Sequence, residues 1–174
     1  CYACRHGLSH ICQNLGLVGI DLDGGFAEYA LVPLHTIRPI PHHLPLGEAA
    51  LIEPLAVGMH AVRVSNLRPG DVTAVLGAGP VGLLTAQAAR LAGARRVFIV
   101  ERSPRRLAIA RALGFEVLEA GRQDVISTLL QETKGEGIPV VFEAAGTAET
   151  VNEAAHIARI GGQIIQVGLP KGPI

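Results

Sequence analysis

Three glycines at a fixed spacing carry the strongest chemical signal in the sequence. Gly77, Gly79 and Gly82 form a G-x-G-x-x-G pattern between an apolar run at residues 72–76 and an Ala- and Leu-rich run at residues 83–91. The first run predicts a buried strand and the second a helix. In this arrangement the first glycine permits a tight turn, the second lets the backbone approach a pyrophosphate, and the third packs the helix against the sheet. The pattern therefore predicts a dinucleotide-binding loop, with a non-binding Gly-rich turn as the alternative.

The residues next to the glycine loop (residues 77–82) fit the same chemistry. Pro80 and Val81 open the predicted helix, whose free amides and positive dipole would face phosphates. Glu101 ends the next predicted strand, residues 96–100, about 20 residues after the loop, where an acid accepts hydrogen bonds from the adenosine ribose. We expect Glu101 to favour NAD over NADP, although the guanidinium of Arg102 could pair with a 2′-phosphate.

A second candidate site is a cluster of thiols. Cys1, Cys4 and Cys12 follow a C-x2-C-x7-C spacing. Thiolates this close can bind zinc, but a closed structural site needs four ligands, and His6 or His10 could supply another. Free thiols in a loop are the alternative. The odd number of cysteines argues against a disulfide scaffold and favours a reducing compartment, so we expect a cytoplasmic protein.

Composition limits the class of partner. The chain has 174 residues, with 15 Lys and Arg balanced by 15 Asp and Glu, and no basic run. We therefore expect no nucleic-acid partner, and no apolar run has membrane-spanning length. The chain begins at Cys1 rather than at a methionine and ends soon after a predicted strand. We expect it to be a piece of a longer protein, with one full domain and part of another.

Alternating strands and helices must position the glycine loop. Hydrophobic periodicity and turn residues predict an α/β fold with a doubly wound parallel sheet in the order 3-2-1-4-5, stopping before a sixth strand. The remaining predicted strands span residues 116–118, 140–143 and 163–167, and the remaining predicted helices span residues 104–113, 124–134 and 147–158.

The first third of the chain is less regular. Gly24 and Gly25 predict a turn that leads into a strand ending at Pro33. Residues 47–64 predict a helix interrupted at Glu53, because the following proline disfavours helical geometry at that position. The dipole of the next helix would favour an acid there without any function.

These motifs together resemble the medium-chain zinc-dependent alcohol dehydrogenase family, in the branch of the sorbitol, butanediol and threonine dehydrogenases. The resemblance spans nearly the whole chain. The matching motifs, in order, are the cysteine cluster, Gly-Gly-Phe-Ala-Glu-Tyr at residues 24–29, Glu-Pro-Leu-Ala at residues 53–56, the glycine loop, and Val-Gly-Leu-Pro at residues 167–170. It implies a partial, mainly β, GroES-like catalytic domain over residues 1–60 with a remnant of a structural-zinc lobe. Residues 61–174 would form a Rossmann domain.

The resemblance also implies a reaction. Family members use NAD and zinc to transfer a hydride between a secondary alcohol or polyol and nicotinamide, and they form homodimers or homotetramers. Cys1, Cys4 and Cys12 match three of the four structural-zinc cysteines. Glu53 would stand beside the catalytic zinc as a ligand or as an acceptor for zinc-bound water. Gly168 and Leu169 would lie beside the nicotinamide of NAD, and Gly146 is a further candidate for binding the cofactor.

Some expected parts would lie outside the chain, so we expect no turnover from it alone. The family places the remaining structural cysteine and the other catalytic-zinc ligands before the position of Cys1. Three alternatives stay open: a zinc-free enoyl or quinone reductase, a methyltransferase, and a non-catalytic nucleotide-sensing domain. The cysteine cluster and Glu53 argue against the first. Retention of S-adenosylmethionine instead of NAD would reveal the second.

Overall fold

The structure is a computed structural model that describes residues 1–170. The chain forms two compact units, Cys1–Leu44 and Pro45–Ile174. This division falls earlier than the predicted domain boundary at residue 60. A helix at Ile52–Val64 belongs to the second unit because Gly58 lies against the backbone of Thr85, where an added Cβ would come within 2.8 Å of the Thr85 nitrogen. The functional assignment of the two parts stays a prediction.

The second unit is built on a parallel sheet, as predicted. Its strands lie in the order β3-β2-β1-β4-β5. Leu76 pairs with both Val100 and Glu143, so the carboxyl ends of the three central strands lie side by side at the same end of the sheet. The strands are β1 (Val72–Leu76), β2 (Arg96–Glu101), β3 (Glu116–Glu119), β4 (Ile138–Glu143) and β5 (Ala158–Gln166).

Helices connect these strands and cover the sheet. Asp124 and Thr147 begin two of them as predicted, because each side chain accepts a hydrogen bond from a first-turn amide. The α-helices are α1 (Tyr2–Arg5), α2 (Leu46–Ala49), α3 (Ile52–Val64), α4 (Pro80–Leu91), α5 (Pro104–Ala112), α6 (Val125–Glu132) and α7 (Ala148–Ile157). No helix within residues 1–170 combines the length and apolar character needed to cross a membrane.

The sheet is buried on both faces. Val75, Ile99 and Phe142 belong to one apolar cluster, whereas Leu76 and Val100 belong to the other. Neighbouring residues of a strand face opposite sides, so β1 and β2 contribute to both clusters. Such continuous apolar strands are expected when helices cover both faces of a parallel sheet.

The first unit contains two short 3-10 helices, Ser9–Ile11 and Leu34–Thr36, and one isolated bridge between Val18 and Leu22. The predicted strand after Gly24 and Gly25 is wrong, and no strand forms within residues 1–44, so this part is not mainly β. A strand requires a hydrogen-bonded neighbour. The apolar side chains Phe26, Tyr29 and Leu31 are instead almost fully exposed.

The predicted interruption at Glu53 is also misplaced. The chain breaks its helical path between α2 and α3, at residues 50–51, so Glu53 and Pro54 lie in the first turn of α3. Proline is tolerated there because first-turn amides have no partner within the helix. Strand β5 begins earlier than predicted, and its pairing with β4 is irregular between Ala158 and Gln163.

Candidate functional site

Two glycines of the loop are required by the protein's own packing. Gly77 has a φ of 103°, and an added Cβ would lie 3.0 Å from the nitrogen of Ala145. A Cβ on Gly82 would overlap the carbonyl oxygen of Gly77. The first glycine therefore makes the turn and the third allows α4 to approach the sheet, as the sequence predicts.

Gly79 differs from both because no contact among residues 1–170 requires it to be glycine. Its φ is −68°, and an added Cβ would meet no atom of those residues within 4 Å. Gly79 lines a cavity of about 570 Å³ at the carboxyl ends of the strands. The absent side chain thus leaves open space that a ligand could use, and this fits a backbone that must approach a phosphate.

The start of α4 supplies the donors for such a ligand. Gly79 is its N-cap residue and makes no side-chain cap, and Pro80 is the first helical residue. The amides of the first turn, beginning at Val81, have no partner within the helix and carry the positive end of its dipole. The site is therefore suited to an anion, and a pyrophosphate matches both its charge and the open space beside Gly79.

Glu101 lies at the carboxyl end of β2, and its carboxylate is used by the protein itself. It accepts hydrogen bonds from the amides of Ala78 at 2.9 Å, Arg102 at 2.8 Å and Ser103 at 3.0 Å, and Arg106 lies 3.5 Å away. Burial alone would raise the pKa of Glu101, but these amides and the nearby guanidinium together lower it below its ordinary value. Glu101 therefore links the glycine loop, through hydrogen bonds, to the residues that begin α5.

Two cations stand at the same end of the cavity. Arg102 and Arg106 both line it beside Glu101. The Arg106 side chain is about half exposed, whereas that of Glu101 is buried. A ribose in this region would meet guanidinium groups as well as a carboxylate whose lone pairs already accept bonds.

The sequence interpretation missed Glu143, which ends β4 and is completely buried. Its Oε1 atom accepts hydrogen bonds from the amides of Ala145 and Gly146, both at 2.9 Å, and from the hydroxyl of Thr150 at 2.7 Å. Its Oε2 atom accepts one from the amide group of Gln166. A signal existed, because Glu143 ends an apolar strand as Glu101 does.

The structure brings Gly146, Gly168 and Leu169 together, and their cofactor role stays a prediction. Gly146 has a φ of 69°, and an added Cβ would lie 2.8 Å from the carbonyl oxygen of Leu169. A Cβ on Gly168 would lie 2.8 Å from Glu143 Oε2. The loops after β4 and β5 therefore touch backbone to backbone, next to the carboxylate of Glu143.

In the first unit, the sulfur atoms of Cys1, Cys4 and Cys12 all lie within 4.8 Å of one another. The amide of Asn14 donates to the Cys12 sulfur at 3.3 Å and lowers the pKa of Cys12. A hydrogen bond with Cys12 raises the pKa of Cys4. Three convergent thiol groups fit the chemistry of zinc.

The two histidines that could supply a fourth ligand do not join this cluster within residues 1–170. The Nδ1 atom of His6 lies 2.8 Å from the carbonyl oxygen of Tyr2, and the two rings stack. In the part of the chain that the structure describes, the group of metal-ligating side chains that forms does not contain His10. Glu53 is exposed in the first turn of α3. Its metal role stays a prediction.

Comparison with known proteins agrees with this geometry. The chain is 37% identical to the L-galactonate-5-dehydrogenase of Escherichia coli K12 over 100% of the chain and 51% of that protein. It is 34% identical to the sorbitol dehydrogenase of Bacillus subtilis over 98% of the chain and 49% of that protein. The chain thus spans about half the length of these relatives.

A solved structure also resembles the chain over its whole length. It is a proposed zinc-binding dehydrogenase of Sinorhizobium meliloti 1021 bound to NADP, with a TM-score of 0.92 and 38% identity over 100% of the chain and 52% of that protein. The sequence profile of zinc-binding dehydrogenases matches residues 80–174. Because that match covers more than half of the sequence, the chain belongs to the zinc-binding dehydrogenase family.

Proposed function

We propose that the chain is the cofactor-binding part of a zinc-dependent oxidoreductase that transfers a hydride between a secondary alcohol or polyol and a nicotinamide dinucleotide. The observation that carries this proposal is the open space beside Gly79, at the free end of α4. The names of the galactonate and sorbitol dehydrogenases support a polyhydroxylated, small-molecule substrate.

Each residue then has a defined task. The first-turn amides of α4, with Gly77, Gly79, Pro80, Val81 and Gly82 shaping the loop, bind the pyrophosphate. The dinucleotide would lie across the carboxyl ends of the strands, as ligands of open α/β sheets do. Its adenosine ribose would then lie near β2, and its nicotinamide near β4 and β5.

The residues at those two ends orient the cofactor. Glu101 and Arg102 contact the adenosine ribose, and Gly146, Gly168 and Leu169 hold the nicotinamide. When bound, the cofactor supplies the hydride acceptor, and zinc supplies the Lewis acid that lowers the pKa of the alcohol. Glu53 would contribute beside the catalytic zinc. The protein's share is to hold the reacting carbon atoms in register.

NAD is our proposed cofactor because the carboxylate of Glu101 repels a 2′-phosphate. Two observations favour NADP as the alternative. Arg102 and Arg106 line the same end of the cavity, and the Sinorhizobium meliloti relative was solved with NADP. Parallel titrations with NADH and NADPH distinguish the two. We expect tighter binding of NADH, and Glu101→Ser should narrow any such preference.

The thiol cluster supports a second proposal, that Cys1, Cys4 and Cys12 bind a structural zinc ion. This feature distinguishes the proposed function from a zinc-free enoyl or quinone reductase. We also propose a cytoplasmic homodimer or homotetramer. The sheet supports assembly, since β5 pairs with β4 and forms one edge of the five-stranded sheet.

Calorimetric titration of the chain with NADH, ADP-ribose and S-adenosylmethionine tests the proposed function. We expect saturable binding of NADH and ADP-ribose and no heat from S-adenosylmethionine. Binding of S-adenosylmethionine alone would instead identify a methyltransferase. A chain that binds none of the three would contradict a cofactor-binding role.

A further inference from the structure

Glu143 is a buried carboxylate surrounded by neutral donors. None of the ion pairs among residues 1–170 includes it, and its exposed fraction is 0%. A buried charge is costly unless hydrogen bonds compensate for its lost hydration. Here two backbone amides, one hydroxyl and one side-chain amide donate to it, and α7 begins a few residues further on with the positive end of its dipole.

The two oxygen atoms of Glu143 bind two different loops. Oε1 holds the β4 loop through Ala145 and Gly146. Oε2 holds Gln166 at the end of β5, and the same amide group of Gln166 donates to the carbonyl oxygen of Gly168 at 2.8 Å. The carboxylate therefore links the β4 loop to the β5 loop through a chain of hydrogen bonds.

This link matters because the two loops meet where side chains are absent. The contacts between Gly146 and the Gly168–Leu169 segment are backbone to backbone, with no space for a Cβ on either glycine. The loops therefore have no interlocking side chains at these glycines to fix their relative position. Backbone bonds from the amides of Val167 and Gly168 to the carbonyl oxygen of Glu143 join the two strand ends, and the side chains of Glu143 and Gln166 add the hydrogen bonds that reach Ala145, Gly146 and the Gly168 carbonyl oxygen.

We propose that Glu143 is a positioning residue for the nicotinamide half of the cofactor site. It sets the register of the β4 and β5 loops without touching the cofactor itself. This inference rests on the proposed function, because it assigns those loops to the nicotinamide end. The adenosine end is held separately by the glycine loop and Glu101, so the two halves of the site can be tested apart.

Glu143→Gln is the informative change because glutamine keeps the shape of the side chain but replaces one acceptor oxygen with an NH2 donor. If the new amide oxygen keeps Ala145, Gly146 and Thr150, its NH2 group must face the NH2 group of Gln166. Turning the Gln166 amide would bring its oxygen against the carbonyl oxygen of Gly168. The variant therefore loses the side-chain link to the β5 loop and keeps the link to the β4 loop, while the backbone bonds from Val167 and Gly168 to the carbonyl oxygen of residue 143 remain.

Gln166→Ala breaks the same link from the other side, and it keeps the test available if Glu143→Gln folds poorly. The matched control is Thr73→Val. It removes a different fully buried hydrogen bond of the same sheet, from the Thr73 hydroxyl to the carbonyl oxygen of Val140 at 2.6 Å. This control measures the effect of general destabilisation on binding.

The experiment is calorimetric titration of the chain and its variants with NADH and with ADP-ribose, which lacks the nicotinamide. We expect Glu143→Gln and Gln166→Ala each to weaken NADH binding by about tenfold, the effect of roughly one charge-assisted hydrogen bond. ADP-ribose binding should change by less than about twofold, and Thr73→Val should leave the ratio of the two affinities unchanged. The double variant should lose little more than either single variant, because both break one link.

Equal weakening of both ligands, or no weakening of either, would overturn the positioning role. If the unchanged chain binds neither ligand, the proposed function fails and this inference fails with it. Binding of ADP-ribose by the unchanged chain, measured first, distinguishes these two failures.

Discussion

Gly79→Ala separates a glycine needed by a ligand from a glycine needed by the fold. Gly79 has ordinary backbone angles, and the added methyl group would meet no atom within 4 Å in the part of the chain that the structure describes. The methyl group would instead occupy the space through which a pyrophosphate approaches the start of α4. We therefore expect normal folding and impaired dinucleotide binding.

The expected stability change is small because two effects oppose each other. Alanine restricts the unfolded chain and stabilises the fold by about 0.4–1 kcal/mol where its geometry is allowed. Alanine is a poorer N-cap residue than glycine, at a cost of roughly 0.5–1 kcal/mol. The net change should stay within about 0.5 kcal/mol, which corresponds to a shift in Tm of no more than about 2 °C for a chain of this size.

Binding should change much more. Displacing the pyrophosphate from the first-turn amides should weaken ADP-ribose by at least about tenfold, or roughly 1.4 kcal/mol. Calorimetry measures the affinity and thermal unfolding measures Tm. Gly47→Ala is the matched control, because its Cβ also meets nothing within 4 Å but lies in α2, outside the residues that line the cavity. Unchanged ADP-ribose affinity in Gly79→Ala would refute the pyrophosphate assignment.

Three further predictions concern other parts of the chain. The pKa of Glu101 lies below its ordinary value of 4.5, so its hydrogen bonds stabilise the fold above that pH and are lost as the pH falls through the folded-state pKa. Denaturant unfolding should therefore show that Glu101→Gln loses less free energy of unfolding on acidification than the unchanged chain, and the same pH dependence in both would contradict this. With three thiolates, Cys1, Cys4 and Cys12 should bind zinc weakly or substoichiometrically, and one zinc ion per chain retained after dialysis against a chelator would contradict this. Ile164 is an exposed apolar residue of the sheet-edge strand β5, so Ile164→Lys should reduce self-association measured by light scattering. Unchanged scattering would mean that β5 does not pair with another chain.

The nucleotide-binding half was predictable because its signals are local. Apolar runs bounded by glycine and proline determine the strands. Gly82 is required by its contact with Gly77, and Gly77 by its contact with Ala145 in the loop after an adjacent strand. Caps such as Asp124 and Thr147 also act over a single helical turn. The order of the sheet then follows from the handedness of strand–helix–strand connections.

The errors occurred where structure depends on distant partners. The segment after Gly25 has strand-like residues, but a strand needs a neighbouring strand, and none forms within residues 1–44. The break lies between α2 and α3 and not at Glu53, because Pro54 fits in the first turn of α3 and does not interrupt the helix. Glu143 was missed because its burial depends on donors from α7 and β5, which lie 7 and 23 residues further along the chain.

The two strand-end carboxylates pose an electrostatic question that the structure answers. Glu101 and Glu143 flank the glycine loop, and Glu101 binds Ala78 while Glu143 binds Ala145, which packs on Gly77. Burying two charged carboxylates is costly unless hydrogen bonds replace the lost water. Both carboxylates accept several amide or hydroxyl hydrogen bonds, which offset this cost, and both use donors other than the first-turn amides of α4. Those amides remain available for the phosphates, so the acids can shape the loop while the helix binds the anion.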